Sequence, residues 1–127
     1  MSSRVVLLVE DNERNLKLAR DVLEYAGFTV LVATTGEEAV ATAQSSAPDV
    51  ILMDLQLPGI DGHAALSLLR ADSTTGHIPV VALTAFAMAQ DRDRALAAGF
   101  DGYLEKPISV RSFPDQVRAH LKTEDPR

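Results

Sequence analysis

Residues 50–62 constrain the fold of this chain more than any other stretch. They read VILMDLQLPGIDG, so four apolar residues run directly into Asp54 and a Pro58-Gly59 turn follows at once. An apolar run of this length between turn residues is typical of a strand buried on both faces, in the middle of a parallel sheet. Open α/β sheets bind ligands beyond the carboxyl ends of such strands. Asp54 is therefore predicted either to lie at the centre of a site or to cap a loop.

The rest of the chain alternates between strand patterns and helix patterns. Five apolar runs have the length of strands, at residues 4–9, 28–33, 50–54, 79–84 and 102–105. Helix patterns follow them, with expected starts at Asn12 as a cap, Thr34 or Thr35 as a cap, Asp61 or Gly62, roughly residue 87 and roughly residue 110. Strict alternation predicts an α/β fold: a doubly wound, five-stranded parallel sheet with helices on both faces and right-handed crossovers.

Pro114 makes the last helix, expected over roughly residues 110–122, the least regular of the five. Proline lacks the N–H group that a helix interior needs, and its ring clashes with the preceding turn. Either the first turn is irregular after Ser109, or the regular helix begins near Ser112 and places Pro114 in its first turn.

Composition narrows the class of protein. The 127 residues are 46% hydrophobic and 24% charged, which is ordinary for one globular domain. We expect a single domain over residues 1–127, with a core at about 4–122, a flexible tail at 123–127 and no output domain. A net charge of -6 disfavours direct binding of nucleic acid, no apolar run is long enough for membrane insertion, and the absence of cysteine fits a cytoplasmic location.

Chemically matched side chains stand at four of the five predicted carboxyl strand ends. They are Glu10 and Asp11 after the first strand, Asp54 after the third, Thr84 after the fourth and Lys106 after the fifth. If the first and third strands are neighbours, three carboxylates converge, and such a cluster needs a cation to stay ionised. Oxygen ligands with room for water and phosphate favour Mg²⁺. With a lysine and a hydroxyl beside it, this set indicates phosphoryl transfer to an aspartate.

Each of these residues taken alone has an ordinary explanation. Glu10-Asp11 would suit a solvated helix entry, Asp54 a loop cap, Thr84 a β-branched strand position and Lys106 a solvated surface. The joint pattern is what favours function. His63, His77 and His120 lie on different elements, and we expect them to be neither metal ligands nor phosphate donors.

The chain resembles the receiver domain of two-component response regulators over about residues 4–122. The motifs that carry the resemblance are Glu10-Asp11, Met53-Asp54 with Pro58-Gly59, Thr84-Ala85 and Lys106-Pro107. A closer resemblance, to the stand-alone cell-cycle receivers of the DivK type, rests on Asn12, Phe86-Ala87-Met88 and Lys106-Pro107-Ile108-Ser109. The family implies a flavodoxin-like three-layer sandwich with strand order 2-1-3-4-5.

The resemblance also implies the chemistry of the site. Asp54 would accept a phosphoryl group from a histidine kinase or a histidine phosphotransfer protein. Asp11 and Asp54 would bind Mg²⁺ directly, Glu10 through water, and Gln56 through its main-chain carbonyl. Lys106 would pair with the phosphoryl group. The protein would be a signalling switch that catalyses only its own phosphotransfer and autodephosphorylation.

The same resemblance implies a switch that acts on partners. Thr84 would move toward the phosphoryl group and Tyr103 would turn inward, changing the face of helix 4, strand 5 and helix 5 that binds a downstream kinase or effector. The bond before Pro107 would be cis. We further expect a long-lived phosphoryl group, shielded by Phe86 more than it is affected by Gln56.

Two other functions compete with this hypothesis. A phosphohydrolase of the haloacid dehalogenase kind also uses a nucleophilic aspartate, but it needs an acid two residues later to protonate the leaving group. Gln56 stands at that position. A phosphate-independent interaction module would not need the complete set of acids, threonine and lysine. Both rank below the receiver hypothesis.

Overall fold

The computed structural model describes residues 4–57, 59–85, 89–106 and 108–121, and within them five strands and five helices alternate as predicted. The strands are β1 (Val5–Val9), β2 (Thr29–Ala33), β3 (Val50–Asp54), β4 (Val80–Thr84) and β5 (Gly102–Glu105). The helices are α1 (Glu13–Tyr25), α2 (Gly36–Ser46), α3 (Gly62–Ala71), α4 (Ala89–Ala98) and α5 (Phe113–Ala119). None of the helices within these residues is long and apolar enough to cross a membrane.

All neighbouring strands are parallel, and their order is β2-β1-β3-β4-β5. The flavodoxin-like, doubly wound fold is thereby confirmed. The order reverses between β1 and β3, and ligands of such sheets bind beyond the strand ends at this point. Val9 pairs with Met53 in the register, so Glu10 and Asp54 leave the sheet side by side.

The core lies on both faces of the sheet, because successive side chains of a strand point to opposite faces. On one face, Leu7 of β1 belongs to a fully buried cluster with Leu66 of α3, under α2, α3 and α4. On the other face, Leu8 belongs to a cluster with Leu23 of α1 and Phe113 of α5. The molecule is the three-layer sandwich that the sequence predicts.

The helix caps agree with the sequence and resolve its open alternatives. Asn12 caps α1, and Asp61 caps α3 by accepting a hydrogen bond from a main-chain N–H at 2.9 Å. Thr35, not Thr34, caps α2, since its hydroxyl accepts from the N–H of Glu38 at 3.0 Å. The Glu38 carboxylate in turn accepts from the N–H of Thr34 at 2.6 Å. This pair of bonds resembles a capping box, except that the second donor is the residue before the cap, and it makes the start of α2 well defined.

The last helix is shorter than expected. The prediction of roughly residues 110–122 was wrong at both ends, because α5 spans Phe113–Ala119 and residues 110–112 form a turn. Pro114 falls in the first turn, where the missing N–H has no helical partner to lose, so the alternative of a start near Ser112 is confirmed. Phe113 is fully buried and anchors the helix.

Several expectations fall outside the described residues. They concern Pro58 in the turn after β3, the shielding residue Phe86, the start of α4 near residue 87, the cis bond at Pro107 and the tail at 123–127.

Candidate functional site

Three carboxylates meet at the carboxyl edge of the sheet, between β1 and β3. Glu10, Asp11 and Asp54 each offer an oxygen atom, and these atoms all lie within 4.8 Å of one another. Glu10 and Asp54 are 3% and 4% exposed, whereas Asp11 is exposed to solvent. We refer to these three residues as the acid cluster. The main-chain N–H of Glu10 donates to Ala33 of β2 at 3.0 Å, which extends the sheet by one residue and keeps Glu10 inside.

Lys106 reaches the acid cluster from the end of β5. Its Nζ lies 2.7 Å from Glu10 Oε1 and 2.7 Å from Asp54 Oδ2, and its side chain is 17% exposed. The main-chain N–H of Lys106 donates to Thr84 at 2.8 Å, which holds the residue beside β4. Burial lowers the pKa of Lys106, but the hydrogen bonds to Asp54 and Glu10 outweigh burial and the net pKa is raised. The ammonium group is therefore held in its charged form.

Main-chain N–H groups orient the two buried carboxylates. The N–H of Asn12 donates to Glu10 Oε2 at 3.1 Å, and the N–H of Gln56 donates to Asp54 Oδ1 at 2.9 Å. Each carboxylate thus has one oxygen on Lys106 and one on the main chain. Burial raises the pKa of Glu10, the hydrogen bonds from Lys106 and Asn12 oppose it, and Asp54 adds to it, so the net pKa is raised.

Thr84 and Tyr103 lie on the neighbouring strands β4 and β5. Thr84 ends β4 and is 3% exposed, and Tyr103 is half-buried against the hydrophobic core under α2, α3 and α4. Burial raises the pKa of the Tyr103 hydroxyl, and the charges of Asp91 and Glu105 add to this.

A cavity of about 130 Å³ lies beside Thr84 and Gln56. Leu55, His63 of α3, and Asp91 and Arg94 of α4 complete its lining. The His63 ring also packs edge-on against Phe100, with 5.4 Å between ring centroids. Sequence reasoning did not place these residues near the site, because helix patterns alone do not say where α3 and α4 approach the sheet.

The structure brings Glu10, Asp11, Asp54, Thr84 and Lys106 to this edge of the sheet, whereas Tyr103 pairs with Ala82, two residues before the end of β4. Their roles remain predictions. Glu10, Asp11, Asp54 and Lys106 form one connected group. Gln56 contacts that group through its N–H, while its predicted role uses its carbonyl.

Residues 6–118 match the model of the response regulator receiver domain. This chain is a member of the receiver domain family. The receiver domain is similar to the polar-differentiation response regulator DivK of Brucella ovis, with 42% identity over 119 residues that cover 94% of this chain and 97% of the relative. The DivK of Brucella anthropi is 43% identical over 116 residues, which cover 91% and 94% of the two chains.

Solved receiver structures have the same fold. The chemotaxis response regulator CheY4 of Vibrio cholerae superposes with a TM-score of 0.89 at 28% identity, covering 94% of this chain and all of that one. The receiver domain of a sensor histidine kinase from Pseudomonas aeruginosa PAO1 gives 0.86 at 34% identity, covering 94% and 98%. That structure has a magnesium ion coordinated in its active-site cleft. The family resemblance and the class of two-component signalling switch are thus confirmed.

Proposed function

We propose that this receiver domain accepts a phosphoryl group on Asp54 from a phosphohistidine of a histidine kinase or phosphotransfer protein. The observation that carries the proposal is the buried Asp54 carboxylate, held by Lys106 at 2.7 Å within a cluster of three acids. In the reaction, the bond between phosphorus and the donor's imidazole nitrogen breaks as a bond to an Asp54 oxygen forms. The lysine and the N–H of Gln56 hold the carboxylate in one orientation before the donor arrives.

The charges of the site favour a divalent cation. Three carboxylates and one ammonium group leave two negative charges at the position that an anionic phosphoryl group must approach. Because the donors are all oxygens and one of them is exposed to water, the residues fit Mg²⁺. Asp11, Asp54 and the carbonyl of Gln56 would hold the ion, with Glu10 acting through water. When bound, the ion supplies positive charge to the phosphoryl oxygens.

The phosphorylated form would switch protein–protein interactions through Thr84 and Tyr103. The phosphoryl group on Asp54 carries about -1.5 to -2 charges in place of the single charge of the carboxylate, and its oxygens can attract the Thr84 hydroxyl and Lys106. Thr84 borders the cavity beside the site, and Tyr103 lies on the next strand, so a shift of one can change the packing of the other. The face of α4, β5 and α5 is our proposed surface for a downstream kinase or effector.

A phosphotransfer assay tests the acceptor. The labelled phosphohistidine form of a histidine kinase is mixed with wild type, with Asp54→Asn and with the matched control Asp93→Asn, whose residue is exposed on α4. We expect label on wild type and on the control, and none on Asp54→Asn. Undiminished labelling of Asp54→Asn would show that another residue is the phosphoryl acceptor. Steady release of phosphate from a phosphomonoester would instead favour the phosphohydrolase.

A further inference from the structure

The loop between β3 and α3 lies directly against the start of α2. This loop covers residues 55–61, of which the structure describes all but Pro58. A Cβ atom on Gly36, the first residue of α2, would lie 2.6 Å from Ile60 Cγ1 and 2.7 Å from the Ile60 carbonyl oxygen. Ordinary contacts of a Cβ atom are 3.4–4 Å. The absence of a side chain at Gly36 is therefore what allows Ile60 to approach this closely.

The next residue of α2 makes a second close contact with the loop. A Cβ atom on Gly59 would lie 2.7 Å from Glu37 Oε1, and Gly59 has a φ of 76°, a conformation that favours glycine. Two consecutive residues of α2 thus face two consecutive residues of the loop.

The two ends of the loop also touch each other. A Cβ atom on Gly62, where α3 begins, would lie 2.9 Å from the carbonyl oxygen of Asp54 and 3.1 Å from Leu55 Cα. The loop is closed at its base by Gly62 and supported at its far side by α2. Its shape therefore depends on where α2 begins.

The start of α2 is a rigid support. The Thr35 hydroxyl accepts from the N–H of Glu38, the Glu38 carboxylate accepts from the N–H of Thr34 just before the helix, and Ala39 is fully buried in the core. A Cβ atom added at Gly36 would therefore displace the loop and not the helix. One of the Ile60 atoms that would overlap with a Cβ on Gly36 is the main-chain oxygen. Rotation of the Ile60 side chain alone therefore cannot relieve the overlap.

We infer that Gly36 and Ile60 are positioning residues that hold the main chain of Gln56 against the acid cluster. Gln56 is on the supported loop, and its N–H already orients Asp54 at 2.9 Å. Binding sites depend on main-chain positions to within about 0.5 Å, so a loop shift of a few tenths of an ångström matters. The inference rests on the proposed function for its consequence in metal binding. Its first consequence, the geometry of the Gln56 N–H, is independent of any metal.

Gly36→Ala tests the inference, and Gly76→Ala is the matched control. A Cβ atom on Gly76 would lie 3.1 Å from the carbonyl oxygens of Arg70 and Asp72, a crowded main-chain position at the opposite edge of the sheet. In metal-free protein, hydrogen exchange and NMR should show the Gln56 N–H shifted and exchanging faster in Gly36→Ala only. Titration calorimetry should give a Mg²⁺ Kd about tenfold weaker in Gly36→Ala and unchanged in the control, as for loss of other supporting contacts around metal ligands.

Ile60→Ala provides a second variant that adds no atom and removes the side-chain part of the same contact, Cγ1 and Cδ1, while it keeps the main-chain oxygen. We expect the same direction in both measurements. An unchanged Gln56 N–H and an unchanged Kd in the folded variants would overturn the inference, and Ile60→Ala decides alone if Gly36→Ala does not fold. If wild type bound no Mg²⁺, the proposed function would be contradicted. Hydrogen exchange of the Gln56 N–H would still test whether Gly36 and Ile60 position this residue.

Discussion

The two edges of the sheet each hold a cation against a carboxylate, but they differ in charge balance. At the carboxyl edge, Lys106 faces Glu10 and Asp54 at 2.7 Å, with Asp11 beside them. At the amino edge, Arg70 binds Asp101 at 2.6 Å. The group at the carboxyl edge is buried and carries more negative than positive charge, whereas the Arg70–Asp101 pair is partly exposed and balanced. Burial together with unbalanced charge is what marks the carboxyl edge as a site.

The amino edge instead has the features of a structural network. The Arg70 guanidinium also donates to the carbonyl oxygens of Gly76, Ile78 and Gly99, at 2.7–3.1 Å. Asp101 Oδ2 accepts a second bond from the N–H of Val80 at 2.8 Å. This network ties the loops that lead into β4 and β5.

The largest effect is expected from Lys106→Met at the carboxyl edge. The change removes the positive charge that holds Asp54 while keeping a side chain of similar length. Phosphotransfer to Asp54 should slow about 100-fold, as for loss of one charge-stabilising donor in an active site. The rate of label transfer from a phosphorylated kinase measures it. Lys17→Met, at an exposed pair with Asp21, is the control, and an equal loss there would contradict the assignment.

Arg70→Met should affect stability instead of phosphotransfer. Because four hydrogen-bonded acceptors lose their donor, we expect a loss of about 2 kcal/mol in the free energy of unfolding, limited by partial exposure. Urea denaturation measures this loss, and label transfer at a temperature where the variant is folded should stay within about threefold of wild type. Arg70→Lys should recover less than half of the stability. A large drop in the rate of label transfer would contradict the assignment of Arg70 to a purely structural role.

Asp11→Ala should weaken Mg²⁺ binding without lowering the stability of the metal-free protein. Removing one of the crowded carboxylates should leave the metal-free protein at least as stable, since repulsion in the acid cluster falls. The affinity for Mg²⁺ should fall about tenfold or more, measured by calorimetric titration. An unchanged affinity would remove Asp11 from the metal site. Asp101→Ala at the amino edge should lower stability and leave Mg²⁺ binding intact.

The smallest effect is a pH dependence of stability that comes from Glu10. Its pKa in the folded protein is raised above the ordinary 4.5, first by burial. The folded protein therefore keeps a proton that the unfolded chain has released, and stability should fall as pH rises from 4.5 through the folded pKa. Urea denaturation in EDTA over this interval measures the slope. Glu10→Gln should flatten it, and an unaltered slope in that variant would assign the dependence to another group.

The sequence by itself determined the fold class and which polar residues end its strands. Apolar runs that end in Glu10, Asp54 and Thr84 specify strands whose polar residues meet at one edge, because parallel strands all present their carboxyl ends together. Local signals also specified the caps Asn12 and Asp61, since a cap depends only on residues within one helical turn.

Only the tertiary structure decided contacts between residues distant in the chain. It brought Lys106 to Glu10 and Asp54, shortened α5 around the buried Phe113, and joined Arg70 to Asp101 across 31 positions. The packing of Gly36 against the loop after β3 likewise has no local signal in the sequence. A glycine can be needed for a turn or for the close approach of another segment, and the sequence does not distinguish the two. Such contacts depend on the distances between packed layers, which the periodicity of one element does not contain.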